Sequence, residues 1–420
     1  MRRLIKGFEV KVGSWSLFDQ GAVSLGNFLT QMLLARNMGA SNYGVFALLY
    51  GVLFFLISSL GTVVTYPLSL KGGSADRHEL RRLTGASLWF QAGLALPEAL
   101  IVLCAVIALQ NADLFLFAVC ALFSWQFQET LRRALMARLG HRDAIWGDAL
   151  SYMGQALAIA VLARMGSLTP KSAFLAIAVT SAAAAVIQVL QVKPRSVGVS
   201  ETRVLAAEYW RLGSWASSTN LANGVTQQAF PWVLGLLFGT AEAGSFQAIL
   251  NPLKIFNPLI VGTQNIIVPA AAKERRERGI RAASRGGLAY AVRGSILFLP
   301  YLIVLFTWPR TVLGLLYGFH SPYAHLELAM RICVVAYAIG FWGETVCSLL
   351  NGLGLPRAGF IAQLSATGAA VGIGVPLTLE GGLIGAIVSL GICAAVKLGI
   401  ALPTVWAKAR TEESRTASSV

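Results

Sequence analysis

Lys254 stands well inside an apolar stretch, between Pro252 and Pro258. An ammonium at that depth costs roughly 2.5–3.5 kcal/mol on insertion scales unless water or a ligand meets it. Two readings are open: a cavity-facing cation that holds an anionic substrate group, or a side chain that snorkels to an interface, which its stem reaches poorly from there. Gln247, Asn251 and Asn265 share its helical face. A second set, Gln20, Ser24, Asn27 and Gln31, follows i, i+4, i+7, i+11 spacing, and a third comprises Asn220, Asn223 and Gln227. Amides supply both donors and acceptors, so such faces suit the lining of a shared wet cavity; the alternative is that they bond neighbouring helices together. Arg36 closes the first stretch, where it guides an anion or anchors to headgroups. The acids Asp19, Glu98, Glu129 and Glu344 are the candidates for coupling, since buried carboxylates relay protons or bind sodium, or else pair with nearby arginines. Glu129-Thr130 and Glu344-Thr345 each precede a loop with a glycine and a basic residue (Gly140, Arg142; Gly354, Arg357).

Catalytic and metal chemistry find little here. The five cysteines (Cys104, Cys120, Cys333, Cys347, Cys393) lie inside apolar segments without short-range pairing, and the four histidines are scattered. That pattern argues against a disulfide framework or a zinc site, and no cofactor is expected beyond H+ or Na+ as a coupling ion. A membrane polysaccharide polymerase or glycosyltransferase would need catalytic carboxylates on a sizeable outer loop, and no Asp-x-Asp metal motif occurs.

The elements that must position these residues are transmembrane helices. The chain has 420 residues, 56% hydrophobic and only 13% charged, with a mean hydropathy of +0.65. Most of its side chains therefore need lipid as solvent. Apolar runs predict about twelve spans, near 13–37, 42–70, 83–109, 113–137, 144–164, 171–192, 209–237, 242–271, 286–307, 326–350, 357–378 and 382–406. Residues 308–325 read as a short interfacial helix or a broken extension. Gly13-Ser14-Trp15 returns as Gly213-Ser214-Trp215, and Gly39, Gly44 and Phe46 return as Gly239, Gly244 and Phe246. This repeat predicts an all-α membrane fold of two six-helix lobes, 1–192 and 209–406, with a cytoplasmic linker 193–208 and a tail 407–420. Paired halves of this kind place a substrate path at the midplane. The symmetry breaks where Phe54 in one copy faces Lys254 in the other.

Lysines and arginines concentrate on one side: the N-terminus (Arg2, Arg3, Lys6, Lys11), the loops around Arg77–Arg82, Arg132–Arg142, Lys193–Arg211 and Lys273–Arg285, Arg357, and the tail. Both termini are thus expected in the cytoplasm. The same residues account for the net charge of +15 through contact with anionic membrane lipids, and no nucleic-acid partner is expected.

Residues 24–46, SLGNFLTQMLLARNMGASNYGVF, resemble the opening of Wzx-type polysaccharide flippases of the multidrug/oligosaccharidyl-lipid/polysaccharide (MOP) exporter superfamily, a MATE-like fold. Val268-Pro269 before a basic loop, Leu316-Tyr317-Gly318, and the two-half layout are similar too. The resemblance implies alternating access around a V-shaped cavity. It implies transport of a polyprenyl-pyrophosphate-linked oligosaccharide from the cytoplasmic to the periplasmic leaflet of a bacterial inner membrane, for O-antigen, capsule or exopolysaccharide. A polysaccharide polymerase with its chain-length machinery would then be a partner. By the same resemblance Lys254 and Arg36 hold the pyrophosphate. A multidrug antiporter of the same fold is the rival, but it would place carboxylates deep in the cavity where this chain places Lys254.

Overall fold

A computed structural model describes residues 2–138, 140–255 and 257–417, and among them no strand occurs. In chain order the helices are α1 (Arg2–Asn37), α2 (Ala40–Leu60), α3 (Tyr66–Gly72), α4 (Arg77–Ala108), α5 (Phe115–Ala137), α6 (His141–Asp148), α7 (Gly154–Arg164) and α8 (Pro170–Val192). They continue with α9 (Val199–Leu237), α10 (Thr240–Lys254), α11 (Asn257–Thr307), α12 (Pro309–Tyr317), α13 (Glu327–Gly352), α14 (Pro356–Ala369) and α15 (Val375–Ala417). Wide π turns at Gly61–Thr65, Ala149–Met153 and Ala370–Gly374 join α2 to α3, α6 to α7 and α14 to α15 without a break. Gly279 (φ 84°) and Gly382 (φ 53°) leave helical geometry inside α11 and α15, so each of these is two helices end to end.

Helix accounts for most of each expected span, and the span expected at 242–271 is split between α10, which ends at Lys254, and α11, which begins at Asn257. Among the described residues, eight helical stretches are long and apolar enough to cross a membrane, including Gly262–Thr307 and Pro356–Arg410, which contain the breaks at Gly279 and Gly382. The amide-bearing α1 and α9 are not among the eight. The ambiguous segment after Thr307 is the short helix α12, followed by a 3-10 turn at Pro322–His325.

Local chemistry sets the boundaries. The repeated glycines Gly39 and Gly239 are the N-caps of α2 and α10; Gly239 sits at φ 97°, a conformation that side chains with a Cβ rarely adopt. Asp76 caps α4 by accepting the Glu79 amide hydrogen at 2.7 Å. Thr169 and Ser172 form a reciprocal capping box at the start of α8.

Contacts divide the chain into two compact units, Met1–Leu221 and Ala222–Val420, with the boundary inside α9. Of the expected linker 193–208, residues 199–208 are already the first turns of α9. In the first unit, Leu60, Val64, Leu68, Leu83, Leu131 and Tyr209 form a buried cluster. In the second, Ile267, Val346, Leu349, Leu350, Leu353 and Val405 do the same. Lipid tails are as apolar as leucine, so such clusters hold by close van der Waals packing rather than by escape from water.

Candidate functional site

In the second unit the chain breaks where Lys254 stands. Pro252 has no N–H, so the carbonyl of Ala248, four residues earlier, loses its helical donor. The Tyr317 hydroxyl takes that place, donating to Ala248 O at 2.8 Å. Tyr301 donates to Pro252 O at 3.0 Å, and α10 ends two residues later at Lys254. The chain resumes as α11 at Asn257, whose Oδ1 accepts from the Tyr337 hydroxyl at 2.6 Å. Three tyrosines thus secure the break that Pro252 starts.

Lys254 is exposed, and its Nζ donates to Gln247 Oε1 at 3.0 Å, two turns back on the same face. An ammonium has three donors, and among the described residues no carboxylate lies within ion-pair distance of this one. Cys333 of α13 lies within its electrostatic reach. Asn251 is buried and bonded to Tyr317, so it belongs to the support of the break. The side chain of Asn265 lies outside the described residues.

The amides of the first unit are mostly engaged. On α1, Asn27 Oδ1 accepts from Tyr50 at 3.3 Å and Gln31 Oε1 accepts from Tyr43 at 3.4 Å, which ties α1 to α2. Asn220 on α9 accepts from Ser58 at 2.7 Å and donates to Ser59 at 3.2 Å, while Thr62 and Ser217 are 2.9 Å apart. The polar faces of α2 and the first half of α9 therefore meet directly. Gly213 makes this possible, since a Cβ there would run into the Thr62 carbonyl oxygen. Gln20 and Asn223 are half-buried, and Gln227 and Arg36 are exposed.

The acids fall into distinct settings. Asp19 (α1), Glu129 (α5) and Asp148 (α6) converge on Arg132, whose Nη2, Nη1 and Nε reach them at 3.3, 3.3 and 2.5 Å. All four are buried. Arg133 adds a 2.6 Å bond to Glu129, and Gln128 and Gln188 donate to Asp148 at 3.2 and 3.5 Å. Small residues set these approaches. A Cβ on Gly26 of α1 would come within 2.7 Å of the Tyr152 backbone, and one on Gly147 would strike Gln188. Glu98 is buried and accepts from Gln126 at 3.0 Å, while its second oxygen has no hydrogen-bond partner among the described residues. Glu344 is paired with Lys397 at 2.5 Å, joining α13 to α15. Lys397, which helix-end position alone would assign to snorkelling, is buried in this pair.

Sequence spacing did not reveal Arg132, Asp148, Lys397 or the three tyrosines. Usable signals exist for two of them: Glu129 and Arg132 are one helical turn apart, and Pro252 demands an outside donor for Ala248. A further charged cleft of about 280 Å³ lies in the first unit, lined by Lys71, Glu79, Arg82, Glu201 and Glu208. Its ion pairs are Lys71–Glu208, Arg82–Glu201 and Arg82–Glu79.

No protein-family model matches the chain, and no curated protein matches its sequence. Solved structures do match it along nearly its whole length. An inward-facing multidrug resistance MATE family transporter of the MOP superfamily is 14% identical with a TM-score of 0.69, over 93% of this chain and 96% of that one. A MOP superfamily transporter from Pyrococcus furiosus, described as having a binding pocket of reverse polarity that suggests a different function, is 14% identical with a TM-score of 0.65, over 95% of each chain. A eukaryotic MATE transporter is 15% identical with a TM-score of 0.64, over 97% of this chain and 99% of that one. The protein is therefore an all-helical membrane protein with the MATE-like fold of MOP superfamily transporters.

Proposed function

We propose that the protein is a flippase that carries a polyprenyl-pyrophosphate-linked oligosaccharide across a bacterial inner membrane for cell-surface polysaccharide synthesis. The observation that carries this reading is Lys254: an exposed cation at a helix break, with no carboxylate among the described residues to neutralise it and its neighbour Gln247 alongside. Such a group suits a diphosphate, while amides and tyrosine hydroxyls suit sugar hydroxyls. The basic loops then face the cytoplasm, and H+ or Na+ is the candidate coupling ion.

The similar multidrug transporters give the rival reading of a cation-coupled drug antiporter weight on fold alone. It asks for carboxylates free to meet a cationic drug. Asp19, Glu129, Asp148 and Glu344 are instead bound by arginine or lysine, while Glu98, which has no cation partner among the described residues, is buried against Gln126. The Pyrococcus furiosus transporter, with its pocket of reverse polarity, supports the view that this scaffold takes substrates of differing charge. Deleting the gene tests the choice: lipid-linked repeat units should accumulate on the cytoplasmic leaflet. Normal surface polysaccharide together with hypersensitivity to cationic dyes would replace the flippase by the antiporter.

A further inference from the structure

Among the described residues Glu98 is the one buried acid that no cation meets. Asp19, Glu129 and Asp148 gather on Arg132, whereas Glu98 of α4 accepts from Gln126 Nε2 of α5 at 3.0 Å. α4 also packs against α2 and α3. Among the described residues neither these helices, nor α5, nor α4 itself brings a charged or titratable side chain to Glu98. Both partners lie near the middle of the expected spans 83–109 and 113–137, where an ionised carboxylate is costly.

The hydrogen bonding of this pair is one donor short. Glu98 Oε2 and Gln126 Oε1 are both buried without a hydrogen-bond partner among the described residues, and they belong to the two groups that the 3.0 Å bond already joins. Glu98 is 7% exposed and Gln126 0%, so bulk water reaches neither orphan. Two turns earlier on α4 the same seam supplies its own donor: Gln91 Oε1 accepts from the Thr130 hydroxyl of α5 at 2.8 Å. A protonated carboxyl and a carboxamide each offer a donor beside an acceptor, so they can close a ring with two hydrogen bonds. An ionised carboxyl has no donor with which to close it.

We propose that Glu98 and Gln126 form a buried acid–amide ring that holds one proton in the middle of the α4–α5 seam. The proton comes from water; the O–H bond forms on Glu98 Oε2 and donates to Gln126 Oε1, while Gln126 Nε2 continues to donate to Glu98 Oε1. One proton thereby satisfies both orphans and makes the carboxyl neutral. A hard metal ion asks for about six oxygen ligands, far more than this pair offers. Among the described residues no cluster suited to a metal ion is present. Loss of the proton would turn two acceptors, Glu98 Oε2 and Gln126 Oε1, against each other and weaken the seam. This proton belongs to the fold: it is held whichever substrate is carried and whichever ion drives transport.

The test is the infrared spectrum of the full chain at near-neutral pH, in a maltoside detergent that carries no carbonyl of its own. The expected result is a protonated-carboxyl component that disappears in Glu98→Gln, shifts in Gln126→Leu and stays in Asp19→Asn, which removes a buried acid outside the seam. A wild-type spectrum without any protonated-carboxyl band overturns the ring with no variant needed. So does a component that survives Glu98→Gln or keeps its frequency in Gln126→Leu. Thermal melts give a second reading, because Glu98→Gln can close the same ring as an amide–amide pair. The unfolded chain releases the Glu98 proton above about pH 4, and a fold that keeps it binds more protons and loses stability as pH rises. From about pH 5 to about pH 8 the wild-type melting temperature should therefore fall relative to that of Glu98→Gln. Parallel profiles overturn the held proton.

Discussion

Replacing Arg132 by methionine should be among the most damaging single changes in the first unit. Methionine keeps the length and flexibility of the stem but removes the fork that holds Asp19, Glu129 and Asp148. Arg133 still covers Glu129, from which it lies 2.6 Å away, so the loss falls on Asp19 and Asp148. Breaking a buried pair while the partner charge stays behind costs about 3–5 kcal/mol. For a unit of this size that corresponds to a fall in melting temperature of roughly 6–20 °C. The assay is thermal unfolding of the purified protein in detergent, followed by tryptophan fluorescence. The same reasoning predicts that Asp19→Asn alone is neutral or mildly stabilising, because it removes one of three carboxylates that share two guanidiniums and keeps a polar group. Arg132→Met with Asp148→Asn should then recover part of the loss. If Arg132→Met melts with the wild type, or if neutralising an acid in its background recovers nothing, the network is not electrostatic in the way described.

Glu344→Gln should destabilise by about 1–3 kcal/mol, less than a fully buried pair because Glu344 is itself 47% exposed. Lys397→Met in that background should restore most of the loss in the same melting assay. Gly213→Val should block the approach of α9 to the Thr62 carbonyl, and disulfide trapping between cysteines placed at Ser58 and Asn220 should fall with it. Asp76, outside the helices, has its carboxyl held below the ordinary carboxylate value by the Glu79 amide hydrogen it accepts. A group lowered in this way contributes stability above its unfolded value of about 4 and loses it as pH falls through the folded value. Asp76→Ala should therefore lower the melting temperature at pH 7 and leave it unchanged well below pH 3, whereas Asp76→Ser should stay close to the wild type.

Most of the helical layout is legible in the chain because it follows from local composition. Apolar runs of bilayer length give the spans, and Gly39 and Gly239, repeated in the sequence, turn out to cap equivalent helices. The prolines at 252 and 258 would let the single span 242–271 bend, but the chain goes further and is interrupted between Lys254 and Asn257. Side-chain partners are less legible, because they are decided by residues far apart in sequence. Arg132 reads as one more cation before a basic loop, yet it is buried against acids from α1 and α6. Asn27, Gln31 and Asn220 read equally as cavity lining or as interhelical bonds; tyrosines and serines on α2 supply the partners. Lys254 is the reverse case: among the described residues no long-range acid comes to meet it.

The central claim is that Lys254 receives the anionic group of a lipid-linked oligosaccharide. Its most direct test is leaflet exchange of a polyprenyl-pyrophosphate oligosaccharide in proteoliposomes of the purified protein, read by lectin accessibility. Wild type and Lys254→Arg should expose the sugar on the far side, and Lys254→Ala, with an unchanged melting temperature, should lose at least tenfold in rate. Equal exchange by Lys254→Ala and wild type would contradict the account.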